Sequence, residues 1–301
     1  MKLWERIKYK LLKKSEFLIF SPFFIKNFDL PLNNQSSKPI SVAIPHYNRG
    51  KKIHITLKNI LKDNRFDEIV ILDDGSSPEE FDSLKENLSR FTGKIKLFRR
   101  DKNIGSFGTK VQVVSLCSNE WVILLDSDNS LFKEYIDAIF NIPNWKDDTI
   151  YCSDFAYPSF DFRALSGEII DFEKCSHMDW RLFGIFINDG NFLLNKNKYL
   201  QALLPYKAFI PFGACSLFTN YIWLSSGNKL KIMPNSAYYH RVQSDSIWMN
   251  TKDESLKKSD LFGDMLINGI KADQDYLSKL LDVLPDAWIE PTFIPLTNTE
   301  I

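Results

Sequence analysis

Cysteine is scarce and shows no pairing pattern. Cys117, Cys152, Cys175 and Cys215 are the only four in 301 residues. They lie far apart with no C-x-x-C, which excludes thiolate metal sites and dithiol redox motifs and reads as buried thiols in a reducing compartment. No apolar run approaches the roughly 20 residues of a membrane span. The best stretch, Phe17 to Ile25, is broken by Ser21 and Pro22, and no secretory signal is visible. Neither charge sign is in excess, with 38 Lys and Arg against 38 Asp and Glu, so nothing draws the whole chain to nucleic acid. Glycine is sparse at 12 residues. No G-x-G-x-x-G follows the first apolar strand, which excludes a dinucleotide-dependent dehydrogenase. No G-x-S-x-G elbow is present either, which excludes the corresponding hydrolases.

What is present is an ordinary globular composition, 44% hydrophobic and 25% charged, with 24 Phe pointing to a Phe-heavy core. Residues 1–38 form a basic segment and linker. Trp4, Ile7 and Leu11 follow helical spacing among Lys2, Arg6, Lys8, Lys10, Lys13 and Lys14. This leaves two readings of residues 1–25, a peripheral membrane contact or a helix packed on the domain. The implied location is cytoplasmic, with the inner membrane face as the site of any contact.

After "PLNNQSSKP" (31–39) the pattern becomes regular. Apolar strands are expected at 40–44, 68–75, 94–98 and 120–126. Helices are expected at 51–63, from Ser77 to about 91, and at 106–117. Ser77 suits an N-cap, Pro78 the first turn, and Glu80 a capping box. Such alternation predicts an α/β fold, a mainly parallel sheet flanked by helices. Beyond 150 the pattern loosens, with strands near 150–158, 190–195 and 230–241, short helices near 198–204 and 216–227, and helical pieces after 250. The expected division is 39–140 and 141–245 as two halves of one domain, with 246–301 as a helical tail.

Ligands of such sheets sit beyond the carboxyl ends of the strands. Here those ends read "PHYNR", "DDGSS" and "DSDN", placing Tyr47, Asp73, Asp74, Asp126 and Asp128 along one rim. Carboxylates at the end of a buried strand are costly unless a cation compensates them. Strand alternation would turn Asp126 and Asp128 to the same side. Two oxygen ligands with open positions suit Mg²⁺ or Mn²⁺ shared with a diphosphate.

The ordered set "IPHYNR", "VILDDGSS", "NIG" and "LLDSDN" resembles the nucleotide-sugar half of GT-A glycosyltransferases of the family 2 type. The resemblance covers 40 to about 140 well and 185 to 245 weakly. It implies a Rossmann-like GT-A fold with a smaller acceptor-side region. It also implies a nucleotide-sugar pocket from Pro45, Tyr47, Asn48, Asp73, Asp74, Asn103, Gly105 and Asp126, with Tyr47 against the base. Asp128, Asp126 and His240 (after "MPNSAYY") would hold Mn²⁺ or Mg²⁺. The implied partners are a nucleotide-diphosphate sugar and a glycan or lipid-linked glycan acceptor, as in cell-envelope glycan synthesis.

The resemblance departs in one place. Inverting members carry a general base in "E-D" before a helix that ends in Gly. Counting back from Gly227 puts those acids at Cys215 and Ser216, and a following Asp at Phe218. Asp189 in "FINDGNFLL" is the leading substitute base and Asp179 the next. A mechanism without a protein base and a non-catalytic nucleotide-sugar or glycan-binding protein remain as alternatives. A nucleotidyltransferase would need a Gly-rich basic loop where "PHYNRGKKIH" has one Gly.

Overall fold

The computed structural model describes residues 38–91, 93–241, 251–284 and 288–296. The basic segment expected at 1–25 and its membrane reading lie outside them. Among the described residues no helix is long and apolar enough to cross a membrane.

The strands are β1 (Ile40–His46), β2 (Phe66–Asp74), β3 (Ile95–Arg100), β4 (Trp121–Leu124), β5 (Ser130–Leu131), β6 (Thr149–Tyr157), β7 (Phe160–Asp161), β8 (Ile169–Ile170), β9 (Phe192–Asn195), β10 (Phe209–Ile210), β11 (Lys229–Tyr239), β12 (Asp282–Val283) and β13 (Thr292–Ile294). The α-helices are α1 (Ile53–Ile60), α2 (Pro78–Leu88), α3 (Ser106–Ser115), α4 (Lys133–Phe140), α5 (Trp180–Phe186), α6 (Lys196–Leu203), α7 (Cys215–Ser225), α8 (Lys252–Ile267) and α9 (Gln274–Leu277). One mixed sheet runs in the order β13-β3-β2-β1-β4-β9-β6-β11-β5, with β7 on β6 and β8 on β11. Strands β3, β2, β1 and β4 are mutually parallel, as are β6 and β11, while β9 is antiparallel to both β4 and β6. This is the α/β architecture the alternation predicts.

Strand β1 is central because both its faces are apolar. Ile40, Val42, Ala43 and Ile44 are all fully buried, the signature of a parallel strand covered on two sides. Ser77 caps α2 by accepting from the Glu80 amide at 3.4 Å, with Pro78 in the first turn. The expected capping box is only half formed. The Ser77 amide donates to Asn48 Oδ1 at 2.8 Å instead of to Glu80, because Asn48 in its left-handed conformation (φ 51°) reaches across from the β1 loop.

Helix α3 is buried on nearly every side, including Thr109, Lys110 and Gln112. A helix so enclosed must find partners for each polar side chain; Thr109 and Lys110 reach acids of the rim, and Gln112 reaches Arg100.

The tail is built into the core. Strand β13 pairs with β3. Phe262 of α8 is fully buried, with ring centroids 4.8 Å from Phe218 and 5.9 Å from Tyr221. Phe218, where the family pattern has an acid, also packs edge-on to Phe107 at 4.9 Å. Truncating Phe262 to Ala should cost about 3–5 kcal/mol, read by urea denaturation. A loss under about 1 kcal/mol would mean that α8 is not part of the cooperative core.

Candidate active site

Beyond the carboxyl ends of β1, β2 and β4 lies a cleft of ≈ 960 Å³. Pro45, Tyr47, Asn48, Asp74, Asn103, Asp126, Asp128, Asp189 and His240 all line it, and Gly105 lines an adjoining pocket with Tyr47 and Asn103. The fold therefore brings together all but two of the residues singled out above.

One of the two exceptions is Asp73. Its carboxylate is fully buried, bonded to His46 Nδ1 at 2.8 Å and to the Ser76 amide at 3.2 Å, with Arg99 Nε at 3.6 Å. It holds the β1 and β2 ends together and does not line the cleft. The other is Asp179. It caps α5 and pairs with Arg181 at 2.7 Å on the exposed surface, so an N-cap, and not proximity to the cleft, accounts for its place.

Asp74 lines the cleft but is consumed by the fold. Its oxygens accept from Arg100, from the Ile104 amide at 3.1 Å and from Thr109 Oγ1 at 2.7 Å. Arg100 is itself buried, its Nε bonded to Gln112 Oε1 at 2.7 Å. Arg100 is thus a core residue. Burial pushes the Asp74 carboxyl up, with Arg100 opposing, and pushes the Arg100 guanidinium down, with Asp74 opposing. Gly75 follows at φ 71°, and a Cβ there would meet the Asn103 amide nitrogen at 2.8 Å. Only glycine lets the 102–103 backbone close over the β2 end.

The two acids of "DSDN" are placed by a turn. Strand β4 ends at Leu124, and the Asn129 amide bonds back to Asp126 O at 3.0 Å. The alternation expected to carry both acids on one strand face stops short of them. Thr56 of α1 holds the Ser127 carbonyl at 2.8 Å. Strand β5 then pairs with β11, Ser130 against Tyr239, and Asn129 Oδ1 accepts from the Arg241 amide at 3.1 Å. That pairing brings the turn beside His240.

Each acid of the turn has a cation. Asp126 pairs with Lys110 of α3 at 2.8 Å, and Asp128 pairs with Arg49. Burial pulls the Lys110 pKa down, but the Asp126 carboxylate outweighs it and the net shift is upward, keeping the ammonium charged. Burial pushes the Asp128 carboxyl above its usual range, with Arg49 opposing. Among the described residues no three His, Cys, Asp or Glu side chains converge as a ready metal cluster. The expected Asp126, Asp128 and His240 set is not preassembled, because like charges repel and each acid closes on its nearest cation. The donors nevertheless suit a divalent ion. His240 Nδ1 is buried without a hydrogen-bond partner, and burial holds the imidazole below its usual pKa and therefore neutral, with Asp189 and Asp126 opposing.

Asp189 is buried. Its Oδ1 accepts from Tyr238 Oη at 2.8 Å and from the Asn191 amide at 3.1 Å, while Oδ2 has no partner. Burial pushes its carboxyl up, with these donors opposing. Asn191 also accepts from the Asp126 amide at 2.9 Å. At the start of α7, Ser216 bonds Lys110 at 3.2 Å, and a Cβ at Gly190 would sit 2.3 Å from Ser216 Oγ. Lys110 and Asn191 escaped the sequence reading. Lys110 carried no signal, being one Lys in an apolar helix, whereas Asn191 stood unremarked in the quoted "NDGN".

Replacing Arg100 by Met leaves the buried Asp74 without its cation. Urea denaturation should show a loss of about 3–5 kcal/mol, largely recovered when Asp74→Leu is added. Equal losses in single and double variants would show that the pair is not coupled.

A family model described as glycosyl transferase family 2 matches residues 41–220. The poly(ribitol-phosphate) beta-N-acetylglucosaminyltransferase TarP of Staphylococcus aureus is 26% identical over 108 residues, 35% of this chain and 32% of that protein. Two solved structures share the fold. S. aureus TarS 1–349 in complex with UDP-GlcNAc has a TM-score of 0.56 at 15% identity, covering 77% of this chain and 71% of that one. GalNAc-T7 with UDP, GalNAc and Mn²⁺ has a TM-score of 0.55 at 14% identity, covering 80% and 54%.

Proposed function

The chain belongs to glycosyl transferase family 2, and from that premise we propose that it transfers a sugar from a nucleoside diphosphate sugar to a glycan hydroxyl, assisted by Mn²⁺ or Mg²⁺. The observation that carries this reading is the meeting of Asp126, Asp128 and His240 with Tyr47 and Asn103 in one cleft at the strand ends. Two proteins with the same fold, TarS in complex with UDP-GlcNAc and GalNAc-T7 with UDP, GalNAc and Mn²⁺, support it. The four buried thiols support a reducing, cytoplasmic setting.

Tyr47 is 40% exposed and offers a ring face to the base. Asn103 and Gly105 border the same pocket. Asp128, Asp126 and His240 would hold the divalent ion, which supplies positive charge to the departing diphosphate. Arg49, released from Asp128 as the ion is held, would meet a phosphate oxygen. Lys110 holds Asp126 in position through their 2.8 Å ion pair. The acceptor hydroxyl oxygen bonds to the anomeric carbon as the bond to the diphosphate breaks. Its proton passes to Asp189, whose Oδ2 is unpartnered and whose burial makes it a stronger base than a solvated carboxylate.

One observation favours a second reading, a binding protein without turnover. The positions of the family's acids hold Cys215 and Ser216, and Ser216 contacts Lys110 rather than offering a carboxylate. Calorimetry of UDP-, GDP- and dTDP-sugars with and without Mn²⁺, paired with assays of released diphosphate, separates the two. We expect metal-dependent binding with turnover, abolished in Asp128→Ala. Asp189→Asn should still bind donor but turn over about 10²–10⁴-fold more slowly. Binding without turnover across an acceptor panel would favour the second reading, and no donor binding would sink the nucleotide-sugar assignment.

Protons and Mn²⁺ compete for His240 and Asp128. Because the imidazole sits below its ordinary value of 6.5, Mn²⁺ affinity should stay level as pH falls from about 7.5 to 6.5 and decline only below that. A decline already half complete at pH 6.5 would show that His240 titrates as a solvated histidine.

A further inference from the structure

The far wall of the cleft carries groups that the donor does not need. Trp180 opens α5, and its indole is gripped by two helices. A Cβ at Gly184 would meet the ring at 2.8 Å, and one at Gly263 of α8 would meet it at 2.4 Å. Phe183 adds an edge contact at 5.7 Å. Both helix backbones therefore press on the indole and fix its orientation. Even so, the ring stays half-buried and lines the cleft.

Helix α8 brings Leu256, Ser259 and Asp260 to the same wall. Asp260 precedes Gly263 by three residues, so its carboxylate shares a helix face with the glycine that touches the ring. It is exposed, whereas Ser259 Oγ is buried without a hydrogen-bond partner among the described residues. The helix is anchored there by Ser255 Oγ, which accepts from the Gly213 amide at 3.0 Å just before α7.

We propose that Trp180, Ser259 and Asp260 form the acceptor subsite and that it takes a pyranose ring. A sugar has a C–H face that suits the negative face of an indole and a rim of hydroxyls that need polar partners. Asp260 accepts from those hydroxyls and Ser259 supplies a hydroxyl of its own. A hydrocarbon chain on the same wall would cover the Asp260 carboxylate without pairing it, which is costly. A saccharide therefore fits this wall better than a lipid tail. The inference rests on the transferase reading above and names its acceptor class.

The test is retention on an immobilised glycan array, with Mn²⁺ and saturating UDP or GDP present, for the full chain and for Trp180→Ala, Trp180→Phe and Asp260→Asn. Nucleotide affinity and the unfolding midpoint are measured on each variant. Wild type should be held by a subset of glycans. Trp180→Ala and Asp260→Asn should lose about tenfold or more of that affinity, and Trp180→Phe should keep most of it, with nucleotide affinity unchanged in all three. Equal retention of wild type, Trp180→Ala and Asp260→Asn would overturn the subsite. So would a wild type that binds nucleotide but no glycan. A wild type that binds no nucleotide at all would remove the transferase reading, and this inference with it.

Discussion

The structure turns on one constraint, that carboxylates gathered at the carboxyl edge of a buried parallel sheet must each be given a positive partner. Burying an unpaired carboxylate costs several kcal/mol, and this edge holds four. Asp73 has Arg99, Asp74 has Arg100, Asp126 has Lys110 and Asp128 has Arg49. Two of these partners come from β3, one from the loop after β1 and one from α3. The acids thereby tie neighbouring elements together at the end where the ligand enters. They also divide by availability. Asp73 and Asp74 are spent on the fold, whereas Asp126 and Asp128 lie in a turn and face the cleft.

Helix α3 is the hub of that arrangement. Its interior position leaves Thr109, Lys110 and Gln112 no solvent, and each reaches a rim group or its partner. The same helix packs Phe107 against Phe218. It therefore links the polar edge to the aromatic cluster of α7 and α8. The absence of an acid at 218 follows from that cluster, because a carboxylate there would stand among Phe107, Phe209 and Phe262 without a cation.

The far wall of the cleft obeys a different logic. It is assembled from pieces distant in sequence, α5, the 189–191 loop, the start of α7 and the tail helix α8, with close contacts made by glycines at 184, 190 and 263. Where this wall meets the acid–cation network, at Gly190, Asn191 and Ser216, it touches Lys110 and Asp126 directly.

The sequence by itself determined the parallel half of the sheet. Continuous apolar runs such as 42–44 and 69–72 suit only strands covered on both faces, and the polar residues at their ends can only lie at one rim. It determined the donor-side acids for the same reason, since strand ends are local features. It could not decide which acids were free to act, because pairing of Asp74 with Arg100 or Asp126 with Lys110 joins residues that no local period connects. Nor could it press Trp180 against Gly263 or seat Phe262 against Phe218. Those contacts are set by how helices from opposite ends of the chain pack, and packing, unlike periodicity, leaves no trace in the spacing of residues along one element.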